Sequence, residues 1–223
     1  GGAPVHLIGA KIGATVSAHF AARHPQLLKT LTLIGLPVNG PKSRAEWIKL
    51  VHAQGVRAWA RLTMEDRLGA GTPTAMLEAW SDLMGATPLS TMLGFMGAVG
   101  GFNVAGDLPR IACPVLAMTS DSKLHPVAEA ESWRKQLRQS ELAVIPGDGF
   151  HASAVYPDAC AQAALAFIAA KTKTAKLLTS VTSPPMQSSS ASIAWHPAVS
   201  SALPPSSRFV FQRYWPYHDP IPW

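Results

Sequence analysis

Val5-His6-Leu7-Ile8-Gly9-Ala10-Lys11-Ile12-Gly13-Ala14-Thr15 is the stretch on which the fold turns. A short apolar run stops at Gly9 and the chain bends within three residues. From Gly13 a helical period sets in, carried by Val16 and Phe20 with alanines between. The reading is a strand, a tight turn and a helix, with Gly9 and Gly13 as the small residues that let strand and helix approach. Lys11 is thrown up at the bend, at the carboxyl end of the strand.

The chain outward from this unit alternates strands and helices. The helix over 13–23 stops at His24-Pro25, because the residue before a proline avoids the helical region. Leu27 to Gly35 is rich in β-formers between breakers and reads as the next strand. Ser43-Arg44-Ala45-Glu46 is a capping box ahead of Trp47, Ile48, Leu50 and Val51 at helical spacing. Helical stretches over 55–68, 73–84 and 88–99 follow, separated by glycine-rich breaks. Residues 114–119 read as a buried strand and 141–145 as the last one. Between them lies a helix over 126–137, with Ala128, Trp133 and Leu137 inward. A closing helix over 157–170 is apolar at Cys160, Ala164, Leu165 and Ile168. The expected class is α/β, a parallel sheet of about four strands. Its segments are 1–40 (bend and βαβ unit), 41–106 (helical insertion), 107–170 (rest of the sheet) and 171–223. That last segment is rich in Ser, Thr, Pro and Ala and is expected to be a disordered tail.

These elements together resemble the alpha/beta-hydrolase superfamily, in particular lactonase- and esterase-like members with a helical cap. The resemblance spans about Pro4 to Ala170. Residues 9–13 have the form of the G-x-S-x-G nucleophile elbow, with Lys11 where the hydroxyl nucleophile stands. It implies hydrolysis of small esters or lactones, a triad in the order nucleophile, acid, base, and no cofactor. It also implies that strands preceding the elbow, and a loop giving one oxyanion donor, lie outside this chain, which is expected to be N-terminally incomplete.

Carried over residue by residue, the base falls on the loop Gly147-Asp148-Gly149-Phe150-His151, where Phe150 holds the usual histidine place and His151 is the candidate. The acid place after 114–119 reads Ser120-Asp121-Ser122-Lys123. Lys123 stands where aspartate is expected, and Asp121 is either a shifted acid or the cap of the next turn. The backbone N–H of Ile12 is the remaining oxyanion or anion donor. Removing the nucleophile from a hydroxyl triad costs on the order of a millionfold in rate. The activity of the family is therefore expected to be impaired or altered. At the positive end of a helix dipole and partly desolvated, Lys11 should have a lowered pKa. Three roles stay open to it: a nucleophilic or basic amine, as in a lyase; a cation that binds a substrate carboxylate without turnover; or no chemistry.

Composition excludes several classes. The 223 residues carry a formal charge of +6, but Lys and Arg are scattered singly, without the basic run of a nucleic-acid-binding protein. Two distant cysteines, Cys113 and Cys160, form neither a disulfide framework nor a metal spacing. No apolar run is long enough to span a bilayer and no signal segment opens the chain, so a cytoplasmic protein is expected. The expected partner is a small carbonyl or carboxylate compound, with neither nucleic acid nor membrane. Strand 5–9 would lie at a sheet edge, and an uncovered apolar edge invites self-association.

Overall fold

The structure, a computed structural model, describes residues 2–40 and 45–181. Four strands, β1 (Val5–Ala10), β2 (Leu28–Ile34), β3 (Val115–Ser120) and β4 (Ser140–Ile145), form one sheet in the order β1-β2-β3-β4. All neighbours are parallel. This is the α/β architecture anticipated from the sequence. Alternation explains the two buried faces. Leu31, Leu33, Val115 and Ala117 point to one side, where α1 (Ile12–Arg23) and α5 (Val127–Arg134) pack. Ile34, Leu116 and Met118 point to the other, against Cys160, Ala164 and Phe167 of α7 (Pro157–Val181).

Three expected helix faces are corrected. α1 buries Ala14, Ala18 and Ala21, while Val16 and Phe20 are exposed. The seating face is thus the alanine stripe, whose small side chains let the helix lie close on the sheet. In α5, Ala130 and Trp133 are inward and Ala128 is exposed; Leu137 is buried beyond the helix end. On α7, Phe167 takes the buried position and Leu165 is half exposed. This last helix also runs to Val181, past the residue at which composition changes, because Ala, Lys and Leu still favour helix there. The rest of 171–223 lies outside the described residues.

Between β2 and β3 the chain makes α2 (Ala45–Leu68), α3 (Thr74–Gly85) and α4 (Leu89–Val99). They share a cluster of their own, centred on Val51, Trp59, Met64, Leu77, Met92 and Met96. The expected break before residue 55 is a kink: Gly55 has φ 82° and ψ 173°, which interrupts α2 without ending it. The capping box falls partly on residues 41–44, outside the described residues. The entry and exit of this unit are stitched together at a neck. Gly40 N–H donates to Phe102 C=O (2.6 Å), and Val104 N–H donates to Val38 C=O (3.0 Å). A Cβ at Gly40 would strike the Val99 carbonyl, so the neck closes only around glycine. Among the described residues no helix is long and apolar enough to cross a membrane.

Candidate active site

The bend after β1 keeps its strained geometry. Lys11 has φ 54° and ψ −124°, and among the described residues it is the only non-glycine with positive φ. Its N–H donates to Ile34 C=O on β2 (2.9 Å), and its carbonyl accepts from Ala14 and Thr15 N–H at the start of α1. A Cβ on Gly9 would collide with Ser17, the Gly13 carbonyl and Ala14 Cα, so Gly9 is what allows strand and helix to touch. Gly13 differs from the expectation: a Cβ there would meet nothing within 4 Å. Its contribution to the close approach is its carbonyl, beneath Gly9.

The Lys11 side chain runs into a cavity of about 420 Å³ between the carboxyl ends of the strands and the inserted helices, within the ordinary range for small-molecule sites. Nζ donates to Phe150 C=O (3.1 Å) and lies 2.9 Å from the Phe150 ring centroid. Gly35, at φ 55°, passes beneath it, and a Cβ there would come within 3.0 Å of Nζ. Burial first, and then Arg67, push the Lys11 pKa down to about 6; Glu129 opposes them. Near neutral pH the group is therefore largely an uncharged amine.

The other predicted residues divide. Ile12 and His151 line the same cavity as Lys11. His151 is anchored by its N–H to Arg67 C=O (2.8 Å), and its ring lies 6.5 Å from that of Trp80 and 5.1 Å from that of Phe150. Its Nε2 is buried with no hydrogen-bond partner among the described residues. Burial, Lys11 and Arg67 lower its pKa to about 3, so the imidazole is neutral. Asp121 stands apart: it is exposed, and its carboxylate is 3.5 Å from Val127 N–H at the start of α5. Among the described residues no carboxylate pairs with the His151 ring.

Two further groups line the cavity that the sequence reading missed. Arg67, near the end of α2, lays its guanidinium 4.8 Å over the Trp59 ring and donates from Nε to Thr63 Oγ1 (3.1 Å). Burial lowers its pKa, yet a guanidinium stays charged at any physiological pH. The signal was the 59–63–67 spacing, one face of one helix. His125 stacks on Phe150 (centroids 4.9 Å apart, planes 16° apart), and its Nδ1 is 3.0 Å from Glu129 Oε2. Burial, followed by Lys11, lowers its pKa to about 4. The neutral ring thus has its Nδ1 edge facing the carboxylate, which favours the tautomer with the proton on Nδ1 and the lone pair on Nε2. Here the signal was a histidine and a glutamate four residues apart across a helix start.

No protein-family model matches the chain, and no curated protein matches it by sequence. Solved structures do. An esterase from Thermogutta terrifontis, with malate bound, superposes with a TM-score of 0.65 at 19% identity, covering 76% of this chain and 66% of the esterase. An alpha/beta hydrolase from a Medee basin deep-sea metagenome library gives 0.64 at 21%, over 75% and 66% of the two chains. The enol-lactonase from Burkholderia xenovorans gives 0.60 at 16%, over 79% and 66%. The chain thus has the alpha/beta-hydrolase fold, and it spans about two thirds of the length of these structures.

Proposed function

We propose that this cavity binds a small organic carboxylate, and that ester cleavage by an elbow hydroxyl is not its chemistry. The observation that carries the reading is a pair of basic groups on one largely apolar cavity, the charged Arg67 and the amine of Lys11. Neither forms an ion pair among the described residues. The neighbouring carboxylate of Asp66, exposed at the cavity edge, favours the charged Arg67 through space but forms no ion pair with it, so an anionic ligand still offsets part of the cost of half-burying the guanidinium. The N–H of Ile12 at the start of α1 adds a donor from the positive end of a helix dipole.

The fold by itself suggests ester or lactone hydrolysis, as in the esterases and the enol-lactonase it is similar to. A fold hosts many chemistries, so the site decides. Lys11 supplies no hydroxyl, His151 has no orienting carboxylate among the described residues, and Asp121 faces a helix start instead.

Malate, the ligand carried by the Thermogutta esterase, is the first probe to try. Calorimetry should show malate binding while its uncharged diamide does not. Arg67→Gln should weaken malate about tenfold, the worth of one charge-assisted hydrogen bond. An arriving anion raises the Lys11 pKa from about 6, so binding at pH 7 should take up protons, read as a buffer-dependent enthalpy. Equal binding of malate and diamide would sink the reading.

A further inference from the structure

We propose that Lys11 is a nucleophilic amine that forms an imine with the carbonyl carbon of a small oxo acid, and that the glutamate-held His125 moves the protons. The choice of an acid as substrate rests on the carboxylate-binding reading above; the amine chemistry stands on separate observations.

The elbow geometry presents whatever side chain it carries to the cavity, and here that side chain ends in nitrogen. Phe150 fixes the nitrogen from two directions, by its carbonyl and by its ring face. Gly35 leaves the space beneath the chain that a longer residue would fill. Burial keeps the amine largely deprotonated, which is the form that attacks. Against the same Phe150 ring stacks His125. The Glu129 carboxylate lies 3.0 Å from Nδ1 and favours a proton there, which leaves Nε2 as the basic atom.

The step balances as follows. The Nζ lone pair attacks the carbonyl carbon, a C–N bond forms, and the carbonyl π pair moves to oxygen. His125 takes a proton from nitrogen and returns it to oxygen, giving a carbinolamine. Protonation of the hydroxyl through His125 then breaks the C–O bond, water leaves, and the nitrogen lone pair closes the C=N bond. The sum is one carbonyl, one amine and one proton giving one protonated imine and one water, with no oxidation or reduction. Arg67, on another wall of the cavity, holds the carboxylate.

The test uses the full 223-residue chain with pyruvate and sodium borohydride at pH 7, with lactate as the acid that lacks a carbonyl. The expected result is a reduced adduct that tandem mass spectrometry places on Lys11. It should form at least about tenfold faster than on Lys49, Lys123 or Lys135, which are exposed and lie outside the cavity. His125→Asn should slow capture about a hundredfold more than it weakens lactate binding, the usual size of general acid–base help. Lactate binding without pyruvate capture at Lys11 would overturn the imine and leave the carboxylate reading intact, as would capture spread evenly over surface lysines. Capture of butyraldehyde as fast as pyruvate, with no lactate bound, would sustain the amine and overturn the carboxylate. If neither lactate nor pyruvate bound or reacted, both would fall.

Discussion

The two sides of the cavity were built under different constraints. On the β1 side, the backbone of the elbow is intact down to its strained φ, its hydrogen bond to β2 and the bare face of Gly9. On the β3–β4 side the strands keep their register, yet the loops after them bring no carboxylate to His151. Backbone geometry at the elbow is locked by packing between strand and helix, whatever side chain it displays. The side chains shown by the loops after β3 and β4 have no such lock, since a loop can redirect a side chain within one residue. The backbone of the site is thus fixed more tightly than the groups it displays, and fold alone does not set its chemistry.

The harshest way to break this contrast is Gly9→Val. The added atoms would overlap backbone of α1, which cannot swing aside as a side chain can. A loss of about 3 kcal/mol or more in urea unfolding is expected. A smaller loss would mean that the elbow is less rigid than its packing implies.

Next comes pH. The folded Lys11 titrates near 6 against an ordinary 10.5, so between those values the unfolded chain binds a proton that the folded chain does not. Stability should rise with pH across that window, by up to about 1.4 kcal/mol per unit. Lys11→Met should flatten this slope, as compared by urea midpoints at pH 7 and pH 9. The acid limb has a separate origin. His125 and His151 must charge as pH falls below 6.5 toward about 4 and about 3, so their share of stability is lost there in both proteins.

A finer test compares Lys11→Gly with Lys11→Ala. Both remove the amine, but glycine tolerates φ 54° and alanine does not. The glycine variant should be more stable by about 1 kcal/mol in thermal unfolding. The smallest effect belongs to Asp121→Asn, which should change stability by less than about 0.5 kcal/mol and leave malate affinity alone. A marked loss of malate binding there would restore Asp121 to the site.

Much of the architecture was legible because it is local. Residues 5–23 spell out strand, bend and helix, and the bounds of each strand follow from breakers beside it. The face a helix buries was less legible. Val16 and Phe20 look like core by hydrophobicity, but closeness to the sheet selects the alanines. The site was read from one wall only. Lys11, Ile12 and His151 follow from a motif and its order along the chain. Arg67 and His125 enter through the kink at Gly55 and the loop after β3, whose directions no periodicity encodes.

The guanidinium of Arg67 rests on the indole of Trp59, in the wall of the cavity. Any anion that draws that charge off the ring alters the electric field on a fluorophore the chain already owns. Occupancy of the site should then be visible as a change in intrinsic emission, without a label.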